Sequence, residues 1–443
     1  MYSACTNQIA KLLLFLRVPK HLHLTKEFLW LVSGQAVTLL GTFYLIHIVS
    51  AKLPPEQYGY LGLALTLFTL FTQLTGGGIA ASAGRYYTKA VAEDSTYFYF
   101  LACRKLLFFG TVFIAISTAI VIAVYASLFS TNQVLLIGGV GVYAAFNCYY
   151  SVYINIINSQ RNRRLYVAWI IGEQGCRLIF TLISLHLFEP SGRAVVLANV
   201  ATLILIVCIQ RWSLSSIQFP IKSLTDSKKQ TRYWTHTLWT YGWPIALAGI
   251  FNWGYFASQR WALEIFGTTA DVGKYYLLTQ IGSAPILTLG AICLTLIVPM
   301  LYKSNSDERI QKELDARAVT LTWKLALLAS VFLIITITII CAIPTPFLVR
   351  YVPEAYHEVI YYLPHMAIFS GLLVISQILG IILSIRMRPR TILLRDISVN
   401  LIAALLQMFG CFLGGLQGLI YFSIAASGLH LLCQVLIIKL WSK

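Results

Sequence analysis

Residues 104–128, RKLLFFGTVFIAISTAIVIAVYASL, set two cations in front of 23 residues (106–128) that carry no charge. A bilayer core about 30 Å thick needs roughly 20 apolar residues per helix, so this stretch reads as a membrane span entered from a basic edge. Working outward, the same reading recurs along the chain. Apolar runs closed by charge, Pro or Gly lie at 28–50, 60–83, 106–128, 134–158, 166–188, 193–212, 241–265, 275–301, 321–343, 360–384, 392–413 and 417–440. The expectation is an all-α polytopic membrane protein of 12 transmembrane helices, and composition agrees. With 58% hydrophobic and 11% charged residues, 443 residues offer too little polar surface to cover a soluble fold of that size.

A formal charge of +17 could mark a nucleic-acid surface, but the basic residues fall on alternate connections. One side holds Lys11, Arg17, Lys20 and Lys26, then Arg85, Lys89, Arg104 and Lys105, then Arg161, Arg163 and Arg164. It continues with Arg211, Lys222, Lys228, Lys229 and Arg232, with Lys303, Arg309, Lys312 and Arg317, and with Arg386, Arg388, Arg390 and Arg395. The other side holds only Lys52, Arg193, Lys274 and Arg350. The positive-inside rule then places both termini in the cytoplasm. The charge is topogenic, with membrane lipids as its secondary partner and no nucleic acid.

Nine cysteines lie scattered, with no C-x-x-C pair and no ligand-like His spacing, so neither a metal site nor a disulfide framework is expected. No Walker motif, nucleotide-binding Gly-rich loop or H-E-x-x-H is present, and no cofactor is expected. Outward connections are short; the longest, 343–358, offers Arg350, Glu354, His357 and Glu358. That disfavours a membrane enzyme of glycan assembly and favours a transporter.

The two halves resemble each other. Leu53-Pro54-Pro55-Glu56-Gln57-Tyr58-Gly59-Tyr60 leads into the second span, and Gly267 to Tyr275, through Val272-Gly273-Lys274, leads into the eighth. Gly59 and Gly273 then correspond. Six spans return the chain to its starting side, which gives two bundles of parallel topology about an axis along the membrane normal. The expected divisions are a cytoplasmic segment (1–27), a six-helix bundle (28–212), a basic linker serving as hinge (213–240) and a second six-helix bundle (241–443).

These turns, with Gly76-Gly77-Gly78-Ile79-Ala80-Ala81 and Arg85-Tyr86-Tyr87 closing the second span, resemble the polysaccharide-transporter branch of the multidrug/oligosaccharidyl-lipid/polysaccharide flippase superfamily. The twelve-span layout extends that resemblance over nearly the whole chain. Many members carry an Asp-Arg pair late in the seventh span, where this chain reads Gln259-Arg260. The resemblance implies a flippase carrying an undecaprenyl-diphosphate-linked oligosaccharide, a precursor of O-antigen, capsule or another surface glycan, across the bacterial inner membrane. Glycan polymerase or ligase machinery is a further partner that it suggests. A cation or drug antiporter of the same superfamily is the alternative.

Charges inside spans cost about 2.5–3.5 kcal/mol each on the insertion scale and need a reason. Glu173 and Arg177, four apart on one face of the fifth span, read either as pyrophosphate contact with counter-charge or as a neutral packing pair. Arg260 beside Trp261 reads either as a snorkelling side chain or as a cavity cation facing His47 of the first span. Arg85 is a topogenic charge or a collector of the anionic head group. Asn252 leads a set of neutral polar residues, including Gln280, Gln377 and Gln407, that either bond sugar hydroxyls or bond other helices. Gly76, Gly77, Gly78 and Pro285 are candidate bending points.

Overall fold

The computed structural model describes residues 22–124, 130–160, 162–215, 227–290, 352–385 and 389–440, with most of 320–338. Among them there is no strand. Lipid offers no hydrogen bonds, and a helix satisfies its own backbone. Helix α1 (Leu22–Lys52) ends at Leu53 and Pro54, and α2 (Pro55–Thr72) begins on a proline, which a first turn tolerates because its N–H has no helical partner. A π-helical turn, Gln73–Gly77, joins α2 to α3 (Gly78–Ala92). There follow α4 (Thr96–Val124), α5 (Thr131–Ser159), α6 (Arg163–Leu187) and α7 (Gly192–Ser215). The second half holds α8 (Ser227–Phe266), α9 (Thr269–Gly282), α10 (Leu363–Ile385) and α11 (Pro389–Leu440). Side chains fix several starts: Ser130 with Gln133 and Thr268 with Asp271 form capping boxes, and Asn162 caps α6.

Eight stretches among the described residues are long and apolar enough to cross a membrane. Helix α11 contains two expected spans, because Gly414 and Gly415 leave helical geometry between them; Gly415 has φ +56°, which an L side chain rarely adopts. The end of the expected span 275–301, parts of 321–343 (all of 339–343 among them) and residues 1–21 of the N-terminal segment lie outside the described residues, as do 216–226 of the linker. The linker differs from expectation in its second half, which is helical from Ser227. Its aromatics explain this: Trp234 is buried, and its Nε1 donates to Ser95 Oγ at 3.1 Å on the first bundle.

Short connections force antiparallel neighbours and collect the chain turns at two ends. Lys89, Glu93 and Arg163 mark a basic end, and Leu53, Phe188 and Gly267 mark a bare end. In the first bundle α1 packs on α6, where Gly34 meets Val167 and Gly41 meets Gln174, and α5 packs on α7, where Gly139 meets Val196. In the second, Gly282 brings α9 onto Met366 of α10, and α8 lies along α11.

The bundles meet where α2 and α9 start. A Cβ added to Gly59 falls 2.0 Å from the Thr269 carbonyl oxygen, and one added to Gly273 falls 1.9 Å from that of Pro55. Three residues further along each helix, a Cβ added to Gly62 falls 3.1 Å from the Tyr276 ring, so the two helices run parallel in matched register. The two glycines that correspond in sequence thus share one backbone contact between the bundles. Gly78 and Gly242 make a second backbone crossing deeper in the interface, where an added Cβ falls 2.2 Å from the Gly242 oxygen.

Gly273→Ala is expected to lower unfolding stability by roughly 1–3 kcal/mol, the usual cost of overpacking. Gly428→Ala, with open space at its Cβ, serves as the neutral control. Thermal unfolding in detergent compares them, and equal midpoints would remove the backbone contact as a stabilising feature.

Candidate functional site

The interface between the bundles carries most of the polar groups named from the sequence, and α8 organises it. This helix is 40 residues long and interrupted by Pro244, and it lies against α2, α3 and α4 of the opposite bundle. Near the bare end, Arg260 Nη1 donates to the Gly62 carbonyl at 2.9 Å, and its guanidinium stacks 4.5 Å from the centre of the Tyr276 ring. Trp261 and Trp253 donate their indole N–H to Thr66, at 2.9 Å to the hydroxyl and 2.7 Å to the carbonyl. Tyr276 packs on Tyr58 at 5.1 Å, and Tyr356 closes over Tyr58 at 5.9 Å while donating to the Leu53 carbonyl at 3.1 Å. Lys274 bridges to Glu358 at 2.6 Å across the same lip. The bare end of the interface is shut by aromatic packing and backbone-directed donors. Residues 343–351 of the expected longest outward loop lie outside the described residues.

Glu173 and Arg177 form the ion pair that their spacing implies, with Glu173 buried. Tyr143 and Tyr150 lie beside the pair, and Tyr143 stacks on Phe68 of α2 at 4.1 Å. The Nε of Arg177 is buried without a hydrogen-bond partner. A leftover charged donor on an internal face is costly in a purely structural pair and suits an anionic ligand.

At the basic end Arg85 donates to Tyr241 Oη at 3.2 Å and stacks on that ring at 4.7 Å. Lys89 donates to Tyr233 Oη at 2.9 Å. Arg85 thus ties the bundles together as well as marking the basic end. The candidate bending points divide. Gln73–Gly77 is a π-helical turn, but Gly76 is pressed on Cys148 and Gly78 on Gly242, so these glycines also serve close packing. Pro285 lines a small crevice between α1 and α9 with Gln35, Thr38 and Gln280.

Two expected residues lie apart from these contacts. His47 of α1 is exposed, while the Arg260 side chain is engaged by Gly62 and Tyr276. Asn252 belongs to a cavity inside the second bundle, not to the Arg260 surface. Of its lining residues the sequence pointed to Asn252 and Gln377; Arg395 was counted among topogenic charges, and Asp396 and His430 were not singled out. Gln259 is buried in the second bundle and accepts from Tyr275 Oη at 2.8 Å.

A family model described as "Polysaccharide biosynthesis protein" matches residues 24–305. No curated protein sequence matches the chain. Solved structures share the fold at low identity. A multidrug resistance MATE family transporter of the MOP superfamily, in an inward-facing conformation, has TM-score 0.61 and 14% identity over 91% of this chain and 94% of that one. A MOP superfamily transporter from Pyrococcus furiosus, whose binding pocket is described as of reverse polarity, has TM-score 0.61 and 15% identity over 94% and 96%.

If Arg260 helps hold the bare end shut, Tyr58→Cys in a background without native cysteines will resist a water-soluble maleimide. Adding Arg260→Ala will make it react. Equal labelling in both backgrounds would show that the aromatic cluster closes the interface without the arginine.

Proposed function

Because the chain belongs to the polysaccharide biosynthesis protein family, we propose that it moves a polyprenyl-diphosphate-linked oligosaccharide from the cytoplasmic to the outer leaflet of a bacterial inner membrane. The observation that carries this reading is the leftover buried donor of Arg177, whose Nε has no hydrogen-bond partner, with Arg260 as a second arginine held against Tyr276 between the bundles. A diphosphate is a compact dianion that cannot cross hydrocarbon unaided, and guanidinium groups bind phosphate oxygens through paired N–H donors. Aromatic rings and amides beside them suit a sugar chain, while the polyprenyl tail stays in lipid. The basic end is then cytoplasmic, as the positive-inside rule requires. The two bundles, 28–212 and 241–443, exchange access by separating at the bare end and closing at the basic end.

The fold's likeness to multidrug transporters favours a second reading, export of a cation or drug. The acids Glu173 and Asp396 speak against it, because each carries an arginine beside it that compensates its charge.

Deleting the gene in its host is expected to accumulate complete polyprenyl-diphosphate-linked repeat units on the cytoplasmic leaflet and to remove the surface glycan, both measured by mass spectrometry. Unchanged lipid-linked glycans and surface polymer would discard the flippase reading and direct attention to drug or cation efflux. Complementation then separates binding from packing at the ion pair. Breaking a buried pair costs about 3 kcal/mol, whereas replacing both partners by apolar residues is often neutral. Glu173→Leu with Arg177→Met should therefore be more stable than Arg177→Met alone yet fail to restore glycan. Full restoration by the double variant would reduce the pair to packing.

A further inference from the structure

The cavity inside the second bundle, about 280 Å³ in volume, lies apart from the Arg177–Arg260 surface. Asn252 of α8, Gln377 of α10, and Arg395, Asp396, Asn400 and His430 of α11 line it. Arg395 Nε donates to Asp396 Oδ1 at 2.8 Å, so the fixed charges there cancel. His430 Nε2 lies 2.9 Å from Asn400 Oδ1. An amide oxygen can only accept, so Nε2 carries the ring hydrogen and Nδ1 keeps its lone pair. The imidazole edge meets the Tyr255 ring at 5.1 Å, and the Tyr255 hydroxyl is buried without a partner.

These groups restrict what the cavity can hold. A metal cation needs carboxylate charge that Arg395 has already neutralised, and the described residues contain no cluster of three or more His, Cys, Asp or Glu. An anion meets a guanidinium already engaged. A proton needs only a lone pair and polar groups able to turn toward the new charge.

We propose that this cavity is a proton-binding site, with His430 taking the proton at Nδ1. The proton comes from hydronium and leaves water, so the cavity gains one positive charge. The charged and titratable groups facing the imidazole among the described residues are Arg395 and Asp396 on α11 and Tyr255 on α8; the lining residues of α10, Ser376 and Gln377, do not titrate. Tyr255 passes the change on. It stands five residues before Arg260, about 7.5 Å along the helix axis. One turn on, Ser258 Oγ donates to Gln407 of α11 at 2.7 Å, so α8 and α11 move together. Coupling of this proton to glycan delivery rests on the function proposed above; proton binding itself does not.

The test uses the full chain in nanodiscs of phosphatidylethanolamine and phosphatidylglycerol. Tryptophan emission is followed from about pH 8 to about pH 4, the range that brackets imidazole titration. Trp253 and Trp261, bonded to Thr66 across the interface, report its state. A reversible step is expected in the native chain, absent in His430→Gln, retained in His47→Gln and His365→Gln, and displaced in midpoint by Arg395→Gln. Persistence of the step in His430→Gln, or no step in the native chain, overturns the proposal. If His430→Gln does not fold, His430→Asn is judged by the same criterion. Glycan delivery is measured separately: loss of the step with normal delivery overturns the coupling, whereas an unchanged surface glycan on gene deletion overturns the flippase reading and leaves the step standing.

Discussion

Two helices can approach to backbone contact only where neither presents a side chain, and α2 meets α9 in this way at Gly59 and Gly273. The rest of the interface is built around that approach. Because the backbones lie so close, Tyr58, Tyr276 and Tyr356 can pack as one cluster at the bare end, and Arg260 can reach a carbonyl of the opposite bundle while its guanidinium rests on Tyr276. Larger residues at the crossing would separate the helices and withdraw those partners together. A contact of this kind is also reversible. It rests on dispersion and shape, with no buried charge that would have to be resolvated when the bundles part.

Helix α8 belongs to both bundles. Its first third lies on α3 and α4 through Tyr233, Trp234 and Tyr241, and its last third pairs with α11 through Ser258 and Gln407 while Arg260 and Trp261 face α2. This divided loyalty explains its weaker apolar pattern: protein covers surface that lipid would otherwise face. Pro244 sits between the two allegiances, close to the Gly78–Gly242 crossing, where a removed backbone hydrogen bond permits bending.

The membrane fold was legible because hydrocarbon thickness dictates run length. The Gly59 and Gly273 turns were legible because proline and glycine have backbone consequences that do not depend on context. Glu173 and Arg177 paired because residues four apart share a helix face. What failed was orientation and depth. His47 is exposed whereas Arg260 is engaged by Gly62 and Tyr276, and the sequence period alone does not say which face of a span its neighbours cover. His430 and Asp396 gave no signal because a charge or imidazole near other basic residues looks the same whether it faces water, lipid or a cavity. The helical start at Ser227 was hidden because a charged segment loses its linker character once aromatic side chains bury it against a neighbour.

The π-helical turn at Gln73–Gly77 alters how the whole second span must be read. A residue accommodated in a wider turn shifts every later side chain by about 100° around the axis relative to an uninterrupted α-helix. Helices α2 and α3 thus present two different azimuths although they form one continuous rod. The face that meets α9 near Gly59 and the face that meets α8 near Gly78 do not fall on one helical-wheel stripe. A periodicity analysis spanning 55–92 with a single phase would average the two stripes into a weak signal. Substitution patterns along this segment have to be resolved on two wheels, joined at Gln73.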